Sequence, residues 1–303
     1  MSMRTRFYEL ATEALDRDER VAVVLASIGA ASLPQHPHVF DVGIREQLMI
    51  GVAAGLALEG YRPVVHSYTP FLVERPYEML KLDLGHQDLG AVLVSTGASY
   101  DAASEGRTHQ APEDVALVAA LPGWTIHVPG HAGELERVLE HALAGDDRVY
   151  IRMSDETNQG PVEGDGLVVL RSGTPLVVAV GPTLEAVLEA TADLDVGIAY
   201  LSTVRPFPHD ALEDVDDIVL VEPYLAGTSA GEVTKAIGHR PHRLLALGVP
   251  NAEFRHYGSG EEHRAAHGLD AAGIRRRLEA RASRRERAAS SGSGSRSGRS
   301  ARG

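Results

Sequence analysis

The sequence predicts an α/β protein of two doubly wound, mostly parallel-sheet domains followed by a disordered tail. Three features carry this reading. Apolar runs such as "VAVVLASI" and "AVLVST" are continuous rather than alternating, as expected of strands covered on both faces. Segments of helical period lie between most of them. A polar, Gly- and Pro-containing break then separates this first block from a second alternating one.

Taken in order, "VAVVLASI" and "FDVG" read as strands, with a helix from about residue 44 to 58 after them. "RPVVHSY", "AVLVST", "TIHVP" and "RVYIRMS" complete the first domain, residues 1–155. Residues 156–175 read as a linker. "LVVAVG", "VGIAYLS", "DIVLVEP" and "RLLALG" are the strands of a smaller unit, 176–280, with helical patterns in "TLEAVLEATADL" and "TSAGEVTKAIG". Residues 281–303 are Ser/Gly/Arg low complexity with little to bury, and so read as disordered.

Composition narrows the function. From Arg275 to Gly303 there are ten arginines and two glutamates, which leaves 19 basic and 40 acidic residues in the preceding 274. An acidic body repels nucleic-acid phosphate, so no nucleic-acid role is expected. The chain has no cysteine, which excludes disulfides and thiolate metal sites and agrees with a reducing, cytoplasmic home. No stretch reaches the length of a membrane span, and the first 20 residues are amphipathic with no signal-peptide core.

"FDVGIREQLMIGVAAGLALEG", residues 40–60, sets a problem. Glu46 heads a run of small and aliphatic residues, where a carboxylate buried without a partner would cost several kcal/mol or take up a proton. Taken alone, a glutamate in a first helical turn complements the macrodipole, worth roughly 0.3–1 kcal/mol. The segments downstream favour another role.

With "SYTPFLVERPYEML" at 67–80 and "SEGRTHQAPEDVALVAALPGW" at 104–124, this stretch resembles, in order and spacing, the pyrimidine-binding domain of transketolase-like, thiamine-diphosphate-dependent enzymes. The resemblance continues through "VRPFP" and "VEPYLAGTSAGEV" into a transketolase C-terminal domain, and covers residues 5 to 280. It implies that Glu46 is catalytic, hydrogen-bonding the aminopyrimidine nitrogen and favouring the imino tautomer of the cofactor. A buried carboxyl with a raised pKa suits that task. The resemblance further implies that Tyr68 and Phe71 flank the pyrimidine, that His109 faces the substrate as a proton donor, and that Arg152 helps hold an acceptor phosphate, a plain surface or structural arginine at a strand end being the alternative for Arg152. Arg75 and Tyr77 match a segment read as scaffold, and His66 reads as a satisfied, partly buried histidine.

Departures from the family pattern bear on the substrate. Glu105 replaces an aspartate, Arg107 replaces a proline, and Gly97 stands where sugar-phosphate enzymes carry a substrate-contacting histidine. Glu105, Arg107, His109 and Arg152 are therefore the expected substrate-binding residues of a modified site, one that takes a 2-oxo acid or an unusual acceptor. The family binds Mg²⁺ and the diphosphate at a G-D-G with a spaced asparagine. The "GDG" at 164–166 lies in the linker without one, so no metal ligands are expected on this chain. The resemblance thus implies the C-terminal component of a two-subunit, α₂β₂-like transketolase. Its small-molecule substrate would donate a two-carbon ketol or acyl group, and a partner subunit would supply the Mg²⁺ and diphosphate site. Self-dimerisation is expected when the partner is absent. The alternatives are a beta subunit of a 2-oxo acid dehydrogenase and a noncatalytic scaffold.

Overall fold

Two parallel sheets, each wrapped by helices, divide the chain. The structure is a computed structural model that describes residues 1–293 except 165 and 254. The first unit runs α1 (Met3–Arg17), β1 (Val21–Leu25), β2 (Val39–Asp41), α2 (Glu46–Leu58), β3 (Arg62–Tyr68), α3 (Tyr77–Met79), β4 (Ala91–Thr96), α4 (Asp114–Ala119), β5 (Trp124–His127), α5 (Ala132–Ala144) and β6 (Arg148–Arg152). The second runs β7 (Leu167–Arg171), β8 (Leu176–Val180), α6 (Leu184–Ala190), β9 (Gly197–Leu201), β10 (Thr203–Arg205), β11 (Asp217–Leu225), α7 (Ala230–Ile237), β12 (Arg243–Val249), α8 (Gly260–His267) and α9 (Ala271–Ser293).

The strand orders are β10-β5-β6-β4-β3-β1-β2 and β12-β11-β8-β9-β7. Pairing is parallel except for β10 on β5 and β7 on β9. All five residues of β1 and all six of β4 are buried, which is why their apolar runs are unbroken. On one face of the first sheet, Met3, Phe7, Leu135 and Leu139 of α1 and α5 pack on Val23, Val92 and Ile151. On the other, Met49, Ile50 and Ala53 of α2 join Leu72, Leu80 and Val118 in a core that continues into the second unit through Tyr224 and Ile237. Each such aliphatic side chain contributes about 1.5–3 kcal/mol on burial.

Three departures from the sequence reading follow from pairing. The expected linker, 156–175, carries β7, which completes the edge of the second sheet. β10, in "VRPFP", crosses back to pair with β5 and tie the units together. α9 extends past residue 281, where disorder was expected. Its Ala, Arg and Glu residues are good helix formers, and Arg281 pairs with Asp217 at the start of β11. Residues 294–303 of that expected tail lie outside the described residues. No helix among the described residues is long and apolar enough to cross a membrane.

Candidate active site

The carboxyl ends of parallel strands, where α/β sheets bind ligands, collect the expected residues. Glu46 is the first residue of α2, after β2, and Tyr68 is the last residue of β3. Phe71 sits in a π-helical turn, Pro70–Glu74, directly after β3. His109 ends a 3₁₀ turn, Arg107–His109, in the long connection after β4.

Glu46 is buried, and its charge is met by Arg75. Nη1 of Arg75 donates to Glu46 Oε1 at 2.8 Å, with the carboxylate side chain 5% exposed and the arginine 43%. The same guanidinium lies over Phe71, 3.7 Å from Cζ to the ring centroid, and Nε2 of Gln47 donates to the Arg75 carbonyl at 3.2 Å. Arg75, read from the sequence as scaffold, is thus the partner that the buried carboxylate needed. The signal available in the sequence was that requirement itself.

Phe71, Tyr68 and His109 form a triangle of edge-on rings. His109 stands 4.9 Å from Phe71 and 5.4 Å from Tyr68, centroid to centroid, and the two aromatics are 6.1 Å apart. Thr108 Oγ1 and His109 Nδ1 are 2.9 Å apart, so the hydroxyl orients the imidazole. Contacts therefore run from Glu46 through Arg75 and Phe71 to His109 and Tyr68. A buried carboxylate beside a ring-lined wall fits an aminopyrimidine, which offers a ring nitrogen to the acid and flat faces to the rings.

Beyond Tyr68 lies Arg4 of α1, which the sequence reading missed. Its Cζ is 5.6 Å from the Tyr68 centroid, and its Nε donates to the Tyr8 hydroxyl at 3.2 Å. That hydroxyl donates to His66 Nε2 at 3.1 Å, while His66 Nδ1 donates to the Val94 carbonyl at 2.8 Å. His66 is wholly rather than partly buried, and burial pushes its pKa down to about 4.

Glu105 and Arg107 lie on the loop that carries His109. The Glu105 side chain is exposed, whereas Arg107 is held by Glu113 at 2.7 Å and the Gln110 carbonyl at 2.5 Å. Arg152 is not brought to this site. Its guanidinium, 1% exposed, donates to Asp114 at 2.7 Å and to Ser99 Oγ at 2.5 Å, and Ser99 Oγ donates to the Pro223 carbonyl at 2.6 Å. Arg152 instead closes a buried ion pair within the first unit, which meets the charge of the fully buried Asp114, and Ser99 carries the contact on to Pro223 of the second unit. Among the described residues no group of three or more His, Asp or Glu side chains is placed to hold a metal ion, and Asp165 of the "GDG" lies outside them.

The family model for the transketolase pyrimidine-binding domain matches residues 1–159. The chain belongs to this family. A transketolase-family relative from Clostridium sp. (strain MSTE9), a 6-deoxy-6-sulfo-D-fructose transketolase subunit, is 30% identical over 69% of this chain and 71% of its own. An uncharacterized 33.6 kDa protein in the fasciation locus of Rhodococcoides fascians is 49% identical over 89% of this chain and 91% of its own. The 1-deoxy-D-xylulose-5-phosphate synthase of Leptothrix cholodnii is 32% identical over 82% of this chain, but that match spans only 42% of the synthase. Among solved structures, a split-gene transketolase described as an inactive beta4 tetramer superposes with a TM-score of 0.75 at 22% identity, covering 92% of this chain and 97% of the other. Transketolase from Campylobacter jejuni superposes at 0.76 and 17% identity, over 91% of this chain and 46% of the other. The two-sheet transketolase fold is therefore shared along nearly the whole chain.

Proposed function

We propose that this chain is the C-terminal component of a split, thiamine-diphosphate-dependent transketolase that moves a two-carbon ketol or acyl group between small molecules. The observation that carries this reading is the Glu46 carboxylate, buried at the head of an apolar helix and joined through Arg75 and Phe71 to the His109 imidazole. When bound, thiamine diphosphate supplies a nucleophilic carbon and an electron sink. Glu46 holds a proton at the pyrimidine nitrogen, with Arg75 fixing the orientation of the acid. Tyr68 and Phe71 flank the ring and exclude water. His109, oriented by Thr108, delivers a proton to the substrate oxygen. Arg4 and Glu105 are the polar groups offered to the substrate, and Arg107 shapes the loop between them.

The Mg²⁺ and diphosphate ligands belong to a partner subunit in this proposal. The outer face of α2 supports it. Leu48 and Leu58 are exposed on a helix whose opposite face is already buried, Ile44 just before that helix is 75% exposed, and a Cβ on Gly55 would meet nothing within 4 Å. A helix apolar on both sides is built to be covered. The partner covers this face in an α₂β₂-like complex, and a second copy does so when the partner is absent. The relative named as a transketolase subunit and the split-gene structure support the existence of a partner subunit. The test is to purify the untagged chain from its host and identify what accompanies it. A partner carrying a G-D-G with a spaced asparagine, and a complex that consumes a ketose or 2-oxo acid only with thiamine diphosphate, is the expected result. A homogeneous single chain that turns over alone would refute it.

A further inference from the structure

The His109 loop is gripped from outside by the second unit. The turn that places His109 begins at Gly106, whose carbonyl accepts from the His109 amide at 3.0 Å and whose φ of +72° is one that L side chains rarely adopt. The ring of Tyr257, between β12 and α8, lies on the Cα of this glycine. A Cβ built there would stand 2.5 Å from Tyr257 Cε1, closer than any real contact. Next in the chain, Nε of Arg107 is 3.6 Å from Glu253.

The segment that presents Tyr257 is itself pinned. Ser259 and Glu262 form a reciprocal capping box that starts α8 directly after it. The His256 ring rests on His263 at 5.3 Å, and His263 stacks on Tyr100 of the first unit at 5.9 Å with the planes 10° apart. Arg264 pairs with Glu156. α8 is thus fastened to the first unit through Tyr100 and to the segment between the units through Glu156, which fixes where Tyr257 falls. Yet Tyr257 is 63% exposed, so its ring adds little to the core while lying against Gly106 of the His109 loop.

We infer that Tyr257 is a positioning residue, which sets the place of His109 by capping Gly106 across the boundary between the two units. This rests on the reading that His109 serves the substrate. Its flat ring, not its hydroxyl, makes the contact, so phenylalanine should replace it and alanine should not.

Hydrogen exchange on the intact chain tests this without any assay of turnover. In Tyr257→Ala the amides of residues 105–110 should exchange on the order of tenfold faster, with the rest of the chain and the melting midpoint unchanged. Tyr257→Phe should match wild type. In the reconstituted complex, Tyr257→Ala should lower kcat on the order of tenfold to a hundredfold while KM for the donor stays put, and Tyr257→Phe should restore it. Wild-type exchange at 105–110 in the alanine variant, or faster exchange throughout the chain, overturns the inference. Absence of thiamine-diphosphate-dependent turnover in the wild-type complex would overturn the proposed function instead, and leaves the exchange result to decide the role of Tyr257.

Discussion

Tyr68 occupies the space that a side chain on Gly97 would need. A Cβ on Gly97 would lie 2.4 Å from Tyr68 Cδ1 and 2.8 Å from Cε1, and Gly97 sits at φ +71° at the end of β4. The tyrosine ring fills the volume on that side of His109.

Gly97→Ala should accordingly destabilise the fold by about 1–3 kcal/mol, from backbone strain together with displacement of Tyr68. Urea unfolding measures it. Shrinking the ring should recover part of the loss, so Tyr68→Ala combined with Gly97→Ala should be less than additive. Strict additivity would show that the two positions do not compete for space.

Glu46 and Arg75 separate chemistry from stability. Glu46→Gln should slow thiazolium proton exchange in the reconstituted complex on the order of 10²–10⁴-fold. Its stability should stay within about 1 kcal/mol of wild type, because Arg75 is half in water and can be hydrated. Arg75→Ala leaves a buried carboxylate without its cation. It should lose about 1–3 kcal/mol, below the figure for a fully buried pair because the arginine is partly exposed. Normal proton exchange in Glu46→Gln would end the catalytic assignment.

Cofactor affinity should depend on the partner. In the proposed reading the isolated chain offers only the pyrimidine pocket, whereas the diphosphate and Mg²⁺ held by the partner provide much of the anchoring, so calorimetry should find weak binding. Tight Mg²⁺-dependent binding by the chain alone would place the metal site here after all. Ile44→Asp with Leu48→Asp should abolish assembly, read by sedimentation, at little cost to the isolated fold because both side chains already face outward.

His66 makes an acid-sensitive contribution. Burial pushes its pKa from 6.5 to about 4, so between those values the unfolded chain holds more protons than the folded one. Stability from this group is therefore complete above about pH 6.5 and is lost as the pH falls toward 4, by about 3 kcal/mol in all. His66→Gln should flatten the stability–pH curve in that window. An unchanged slope would show that another group governs it.

The parallel α/β class, most strands to within a residue or two, and the three motifs in register were legible in the order of residues alone. The class and the strands were so because strands buried on both faces carry continuous apolar runs, as β1 and the first four residues of β4 do. Glu46 was legible for the same reason, a charge conspicuous in an apolar run. Partnerships between segments distant along the chain were not legible. Arg75 lies 29 residues from Glu46, and nothing local distinguishes a cation that will pair with a buried acid from one left in solvent. Arg152 matches a phosphate-holding arginine by resemblance alone, and the burial of Asp114 beside it is what pairs it in the interior. β10 is too short to announce itself, β7 follows a polar, Gly- and Pro-containing stretch, and both owe their existence to strands waiting for an edge. Tyr257 meets Gly106 only because α8 is pinned across the boundary between the units. Local pattern follows from what each residue must hide from water, whereas pairing depends on which surfaces the fold brings within a few ångströms, and that is decided in three dimensions.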